Sequence, residues 1–199
     1  MTEVALTAGE ILDAAEGAVR RFGLEKATVV DVARALGVSH GSVYRHFASK
    51  AELRDAVTRR WLERVSEPLA AIAAERTAPP RRLRRWFDRL RELKAAKALG
   101  DPELFATYVA LAAEAREVVS AHVDALIAQV ALIVRDGVER GDFVARDVTG
   151  TARALLSATQ RFHHPVHASE WGTPDNDIAF EEVWHLLERA LAPQRAVRR

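Results

Sequence analysis

The sequence contains no cysteine, and this absence excludes several kinds of chemistry at once. A chain without thiols has no disulfides, no cysteine-ligated zinc and no thiol nucleophile. The absence of disulfides is typical of a reducing compartment, so we predict a cytoplasmic protein. Aromatic residues make up only 7% of the 199 residues. Ala, Leu, Arg and Glu are abundant instead, and these residues favour helices.

The sequence also lacks a large charge of one sign and a long apolar run. The formal net charge is +1, so any DNA binding must come from a local surface rather than from the chain as a whole. No basic segment followed by an apolar stretch stands at the N-terminus, and no secretion signal is expected. Residues 125–134 form an apolar run interrupted by Gln129, too short to cross a bilayer, so no membrane partner is predicted.

Helical periodicity runs through most of the chain, and no convincing strand pattern is visible. We predict an all-α protein of about nine helices. The fourth helix is expected to begin at a Ser49–Glu52 capping box, to continue into the seventies and to kink at Pro68. Towards the C-terminus we predict a helix over residues 148–162, a loop over 167–177 and a last helix that ends before Pro193.

Residues 27–47, ATVVDVARALGVSHGSVYRHF, have the spacing of a helix-turn-helix. Two short helices that cross steeply need a small residue where they touch and a residue that permits the turn. Ala33 meets the first need, and Gly37, four residues later, meets the second. The apolar positions expected to fill the core between the helices are Val32, Leu36, Val38 and Val43.

The short third helix that follows carries small, hydroxylic, aromatic and basic side chains. Its predicted exposed residues are Ser39, His40, Gly41, Ser42, Tyr44, Arg45 and His46. Such side chains reach base edges and phosphates in a major groove. Gly41 permits close approach of the backbone, and Arg45 suits guanine or a phosphate, the alternative being a solvated surface charge.

The charge of residues 40–60 is more positive than that of the whole chain. Five basic side chains stand against two acidic ones, a local charge of +3 that suits a polyanion. Lys50 lies in the first turn of the fourth helix, where free helix amides favour a phosphate.

Residues 7–60 resemble the N-terminal domain of the TetR family of bacterial transcriptional regulators. The matching segments are ILDAAEGAVRRFG, ATVVDVARALGVSHGSVYRHF and SKAELRDAV. The resemblance implies that the third helix and Lys50 face DNA, that Tyr44 and Lys50 contact phosphates, and that Phe47 is core. The predicted DNA-binding set is Thr28, Ser39, His40, Gly41, Ser42, Tyr44, Arg45, His46 and Lys50.

The resemblance also implies a domain organisation and a function. Residues 1–55 would bind DNA, and residues 56–199 would sense a small-molecule effector and form a homodimer through two helices near 147–163 and 177–191. We expect a ligand-responsive repressor that binds a palindromic operator, not an enzyme, with no cofactor. The candidate interface residues are Leu155, Leu156, Ala158, Trp184 and Leu187. A DNA-binding protein that responds to no ligand is the alternative.

The effector pocket is the least determined part of the prediction. Pockets are mostly apolar with a few polar groups. The candidate lining residues are Trp86, Phe87, Phe105, Tyr108, Phe162 and His163, and each of them serves equally well as ordinary core. The arginines between residues 81 and 91 are interpreted as a solvated helix face. The basic tail, Arg195, Arg198 and Arg199, is predicted to be disordered.

A group of histidines suggests a second possibility. His163, His164 and His167 lie within five residues, and His122 lies on an otherwise apolar helix face. His122, His163 and His167 would make a three-nitrogen metal site. A metal-binding protein or metal-dependent enzyme is therefore an alternative function. The competing interpretation is a histidine-rich helix end whose imidazoles are hydrogen-bonded locally.

Overall fold

The computed structural model describes residues 6–23 and 27–193, so the basic tail lies outside the described residues. Over this part of the chain the all-α prediction is confirmed, with nine α-helices and two 3-10 helices. The α-helices are α1 (Ala8–Phe22), α2 (Val29–Leu36), α3 (His40–Tyr44), α4 (Lys50–Ala73), α5 (Pro79–Gly100), α6 (Pro102–Glu114), α7 (Arg116–Glu139), α8 (Val148–Ala158) and α9 (Pro174–Leu191). The 3-10 helices are Gln160–Phe162 and Pro165–Glu170.

The described residues form two compact units, neither of which is continuous in sequence. Unit 1 takes its residues from Met1–Glu63 and Pro102–Ala121, and unit 2 from Arg64–Asp101 and His122–Arg199. Helices α4 and α7 therefore contribute residues to both units. The functional boundary after residue 55 stays a prediction, because compact units defined by packing need not coincide with domains defined by function.

Short-range signals set the first helices of unit 1. The Thr28 hydroxyl accepts a hydrogen bond from the Asp31 amide at 3.2 Å, and the Asp31 carboxylate accepts from the Thr28 amide at 3.0 Å. This capping box begins α2. Gly37 ends α2 in the left-handed region, at φ 66° and ψ 27°. The Val38 amide then donates to the Ala33 carbonyl at 3.0 Å, so the turn closes as a Schellman motif.

An aromatic and aliphatic core holds unit 2 together. Phe87, Phe162, Phe180 and Trp184 are linked by ring centroid distances of 5.2–5.9 Å. Aliphatic side chains of α4, α5, α7 and α8 complete this core, among them Leu69, Leu90, Val130, Ile133 and Leu155. Within the described residues, α7 is the one helix whose length and composition would suit a membrane span. Its buried apolar side chains between Leu126 and Val134 lie in this core, whereas Val123 and Leu132 are exposed.

The C-terminal region differs in part from the prediction. The helix expected over residues 148–162 ends at Ala158 and continues as a 3-10 helix. At this end the Leu155 carbonyl accepts from both the Thr159 amide, at 3.2 Å, and the Thr159 hydroxyl, at 2.9 Å. The expected loop over 167–177 instead contains the end of the second 3-10 helix and the start of α9, which Thr173 caps. The extension of α4 into the seventies is confirmed, with Pro68 inside it.

Candidate nucleic-acid interface

Helix α3 is short, and its position is set by contacts at both of its ends. The Ser39 hydroxyl accepts a hydrogen bond from the Ser42 amide at 3.2 Å and so caps the helix. Val43 and Phe47 are buried, as predicted, and anchor the inner face of the segment. Because α3 has only five residues, this anchoring leaves nearly all of its other side chains outside.

The predicted DNA-facing residues are exposed, with one exception. Ser42 is half-buried, whereas Thr28, Ser39, His40, Gly41, Tyr44, Arg45, His46 and Lys50 are exposed. Arg45 donates from Nη2 to the Ser42 hydroxyl at 3.1 Å, and that hydroxyl lies 3.0 Å from the Ser39 hydroxyl. The Tyr44 ring meets the His40 ring edge-on, with centroids 6.4 Å apart. The outer face of α3 therefore carries a connected set of donors and acceptors.

Thr28 differs from the other predicted contacts, because its hydroxyl already has intramolecular partners. It donates to the Asp31 carboxylate at 2.6 Å while it accepts from the Asp31 amide. These bonds hold the pKa of Asp31 below its ordinary value, the side-chain hydrogen bond from Thr28 being the largest cause. The structure gives Thr28 a capping role, and DNA contact at this position stays a prediction.

The start of α4 lies a few residues beyond α3. The Ser49 hydroxyl accepts from the Glu52 amide at 3.0 Å, while the Glu52 carboxylate accepts from the Ala48 amide at 2.6 Å. The predicted capping box is thus present in a slightly shifted form. Lys50, the first residue of α4, is exposed beside these groups.

Ion pairs with other parts of the folded chain offset some of the local charge of +3 that residues 40–60 carry. Arg54 pairs with Glu114 of α6 at 2.6 Å. Arg60 pairs with Glu16 at 2.9 Å and Asp13 at 2.5 Å, and these hydrogen bonds, first that of Glu16, raise its pKa above the ordinary value. Two of the five cations are therefore neutralised from elsewhere in unit 1, and the exposed cations of this segment are Arg45, Lys50 and Arg59.

The six predicted effector contacts lie in two different units. Phe105 and Tyr108 belong to unit 1, where Tyr108 stacks on Trp61 with centroids 4.9 Å apart. Trp86, Phe87, Phe162 and His163 belong to unit 2. All five aromatic side chains are buried. A cleft of about 460 Å³ in unit 2 is lined by other, mainly charged residues, such as Arg76 of the α4–α5 connection and Arg135 and Glu139 of α7.

The predicted metal site does not form. In the described part of the chain, no group of three or more His, Cys, Asp or Glu side chains is arranged to hold a metal ion. His163 Nε2 lies 3.2 Å from the Thr159 hydroxyl and 3.3 Å from the Leu156 carbonyl, and His167 Nδ1 lies 3.1 Å from the Glu170 carboxylate. His122, His163 and His167 are therefore not brought together as a three-nitrogen site. His163, His164 and His167 have local hydrogen-bond partners, as the competing interpretation expected, whereas His122 Nε2 has none.

Sequence reasoning missed two buried charges on α5. Arg82, one of the arginines interpreted as a solvated face, is only 4% exposed, and its guanidinium pairs with the Asp136 carboxylate. Lys94 is only 6% exposed, although it lies on α5 just beyond the arginines interpreted as a solvated face. Burial, and then the charge of Lys97, lower its pKa to about 8. The signal was available, since Lys94 follows Leu90 by four residues and precedes Ala98 by four on the buried face.

Two models of known protein families match this chain. Residues 11–57 match the model described as "Bacterial regulatory proteins, tetR family", and residues 79–184, more than half of the chain, match "Tetracyclin repressor-like, C-terminal domain". The chain belongs to the TetR family. The family model for the N-terminal part spans α3 and the start of α4, the segment whose geometry is described above.

Curated relatives are similar to this TetR-family chain over only part of its length. The transcriptional repressor KstR2 of Mycobacterium tuberculosis is 35% identical over 79 residues, which cover 40% of either chain. The transcriptional regulator TtgR of Pseudomonas putida is 41% identical over 51 residues, 26% of this chain and 24% of that protein. The match therefore spans less than half the length of these curated relatives.

Solved structures resemble the whole chain in fold. SmeT, the repressor of a multidrug efflux pump of Stenotrophomonas maltophilia, aligns with a TM-score of 0.65 at 18% identity, over 95% of this chain and 92% of that one. FadR of Bacillus subtilis, solved with stearoyl-CoA, aligns with a TM-score of 0.63 at 15% identity, over 92% and 99%. At such identities the likeness is one of fold.

Proposed function

We propose that this TetR-family chain is a DNA-binding transcriptional regulator, a repressor that binds a palindromic operator as a dimer and responds to a small molecule. The observation that carries the proposal is α3, a five-residue helix that is capped by Ser39 and anchored by the buried Val43. Its other residues are exposed, apart from the half-buried Ser42. A helix of this kind fits a major groove, where its N-terminal side chains meet base edges. The cytoplasm is the compartment that fits this role.

The polar groups of this segment divide into two tasks. Arg45, Ser42 and His40 are proposed to read base edges, since their donors and acceptors lie together on α3. Tyr44 and Lys50 are proposed to contact phosphates, which position the helix without reading sequence. Gly41 is proposed to let the backbone of α3 come close to the DNA, because any side chain there would stand between them.

A dimer is needed because one short helix reads too few base pairs for useful specificity. Most of the predicted interface residues are unsuited to it, since Leu155, Leu156 and Trp184 are buried in the core of unit 2. We instead propose the outer faces of α8 and α9, where Ala158, Ile178 and Leu186 are exposed; Ile178 and Leu186 are 60% and 63% exposed. A two-fold axis would then pair this surface with itself.

Ligand response requires two states that an effector binds unequally. Helix α4 carries both the exposed Lys50 in unit 1 and the buried Leu69 in unit 2, so a change around Leu69 and a change at the DNA surface would involve one continuous helix. The FadR structure solved with stearoyl-CoA supports the idea that this fold accommodates a small-molecule ligand.

Selection of bound duplexes from a random DNA library tests the proposal. A palindromic consensus is expected. Binding to a duplex of that consensus sequence is expected to be at least tenfold weaker in Tyr44→Ala. Lys50→Gln is expected to reduce the slope of log K against log salt by about 1, because one phosphate contact is lost. Arg54→Gln, one helical turn away but paired with Glu114, is the matched control and should leave the slope unchanged. Failure to enrich any duplex at low salt would contradict the proposal.

A further inference from the structure

The charged cleft of unit 2 lies where α4 ends and α5 begins, and one face of α7 forms a wall of it. Its lining residues on α7 are Leu132, Arg135, Asp136, Glu139 and Arg140. Their spacings of three and four residues place them on the same face of the helix. At the end of α4 the lining side chains are those of Ala73 and Ala74, which are too small to fill the space. The cleft volume of about 460 Å³ is within the range of small-molecule sites.

Arg82 of α5 supplies a buried positive charge to this cleft. It lines the cleft and is only 4% exposed. Its guanidinium donates to the Glu75 carbonyl and to the Asp136 carboxylate, while its Nε atom is buried without an acceptor among the described residues. The Asp136 carboxylate also accepts from Arg140 Nε at 2.8 Å, so two guanidiniums share one carboxylate. This group keeps one positive charge, which solvent screens weakly because Arg82 is buried.

Two further arginines of the cleft have no ion-pair partner in the part of the chain that the structure describes. Arg76 lies in the connection between α4 and α5, Arg135 lies on α7, and both are exposed. The Glu75 carboxylate pairs with Arg85, which does not line the cleft. With that pair counted as neutral, the four arginines of the cleft stand against two other carboxylates, which leaves a formal charge of +2.

The chemistry of these side chains favours a ligand with a phosphate group. A guanidinium is planar and gives two parallel hydrogen bonds to phosphate oxygens, and a phosphate monoester carries nearly two negative charges at neutral pH. Leu132 is 43% exposed and lines the same cleft, where it offers an apolar surface to the rest of the ligand. A concave site of this size suits a small molecule rather than a duplex.

We infer that this cleft binds a small phosphate ester. Arg76 and Arg135 hold its phosphate group, and the organic part of the ligand packs on Leu132. The buried Arg82 adds a positive charge that its own contacts keep in place. Such a site goes beyond the proposed function and does not rest on it, because it involves no residue of α3 and requires no DNA. None of the five buried aromatic residues predicted to line an effector pocket lines this cleft.

Titration calorimetry of the full chain, without DNA, tests this site. The probe is phenyl phosphate, and the reference compound is benzenesulfonate, which has the same ring but a single negative charge. At about pH 8, phenyl phosphate is expected to bind at least about tenfold more tightly than benzenesulfonate, because its second charge meets the second unpaired guanidinium.

A double variant identifies the guanidiniums that bind the probe. Replacing Arg76 and Arg135 by Gln is expected to lower the affinity for phenyl phosphate at least about tenfold. Both positions are exposed, so the fold should be kept, and thermal unfolding checks this. The matched control replaces Arg116 and Arg153 by Gln, two exposed arginines that do not line the cleft. It removes the same charge and should keep the affinity within about twofold.

A further variant tests the place of the organic part. Leu132→Ala is expected to weaken phenyl phosphate binding about threefold and to leave pyrophosphate binding unchanged, because pyrophosphate has no apolar part.

Three results of the calorimetry would each overturn the inference: no binding of phenyl phosphate at millimolar concentration, equal affinity for benzenesulfonate, or unchanged affinity in the folded double variant. Weaker duplex binding by that double variant, with no phenyl phosphate bound by the unchanged protein, would assign the two arginines to DNA and also overturn it. If phenyl phosphate binds selectively but no duplex is bound, the proposed function fails and the site stands.

Discussion

The outer face of α3 and the interior of unit 2 use polar side chains in opposite ways. Around α3 the polar groups are exposed or half-buried, linked to one another and close in sequence: Ser39, Ser42 and Arg45 form one chain of contacts. In unit 2 the enclosed polar groups come from different helices: Lys94 of α5 is 6% exposed, and the Nε2 atom of His122 of α7 is buried. The comparison teaches that polar groups on an exposed helix can be linked by local spacing, whereas polar groups in an interior are brought there by tertiary packing.

The strongest test of this contrast concerns Leu155, which sequence reasoning assigned to a surface between protomers. Because it is 3% exposed within its own chain, Leu155→Ala is expected to lower the free energy of unfolding by about 3 kcal/mol through lost burial and a residual cavity. Urea unfolding at fixed protein concentration measures this. Val166→Ala, at a position 73% exposed, is the control and should change stability by no more than about 0.5 kcal/mol.

The half-buried His122 and His163 of unit 2 are expected to make stability depend on pH. His122 and His163 have pKa values lowered to about 3 in the folded chain, whereas an unfolded imidazole titrates near 6.5. Below pH 6.5 the unfolded chain therefore binds protons that the folded chain does not, and stability falls as the pH is lowered from about 6.5 towards 3. Between pH 7.5 and 5.5 the loss is expected to be about 1 kcal/mol for each histidine, measured by urea unfolding.

A pair of double variants isolates the source of that pH dependence. Replacing His122 and His163 by Gln is expected to flatten the profile between pH 7.5 and 5.5. Replacing the exposed His40 and His46 by Gln should leave its slope as in the unchanged protein. If instead the profile flattened when His40 and His46 were replaced and kept its slope when His122 and His163 were replaced, the proton-linked groups would lie on the helix-turn-helix. That outcome would contradict the assignment of the pH dependence to unit 2.

A third test separates the core of unit 2 from its proposed dimer surface. Leu186→Asp puts a charge on the outer face of α9, where the side chain is 63% exposed, so the fold of one chain should be kept. If this face pairs across a two-fold axis, the dimer dissociation constant should rise at least about tenfold, equivalent to 1.4 kcal/mol. Sedimentation velocity over a range of concentrations measures it. An unchanged dimer would exclude this part of α9 as the interface.

The smallest expected changes in stability are those of alanine substitutions at two glycines of the helix-turn-helix. Gly37 has φ 66°, so Gly37→Ala is expected to cost about 1 kcal/mol of unfolding free energy. A Cβ at Gly41 would meet only the Ser39 hydroxyl, at an ordinary 3.6 Å, so Gly41→Ala should leave stability unchanged or slightly improved. DNA affinity should respond the other way, with Gly41→Ala weakening binding through loss of close approach. Thermal unfolding and DNA titration of both variants give the comparison.

Local signals along the chain account for most of the fold of the helix-turn-helix. Thr28 with Asp31, Gly37 and Ser39 act on backbone groups within a few residues of themselves, so their effect can be predicted from spacing alone. The C-terminal helices were predicted less well. Helix α8 ends at Ala158, where the Thr159 hydroxyl bonds to the Leu155 and Leu156 carbonyls, and spacing along the sequence does not predict whether a threonine hydroxyl bonds back in this way.

The sequence by itself determined the helical class, the helix-turn-helix and the exposed residues of α3, because these depend on neighbours along the chain. Only the tertiary structure decided which charges remain available and which apolar residues are core. Arg54 meets Glu114 sixty residues away, Leu155 is enclosed by its own unit, and Arg82 is buried against Asp136 of another helix. Burial and charge pairing depend on which distant residues the fold brings together, and no spacing along the chain records that.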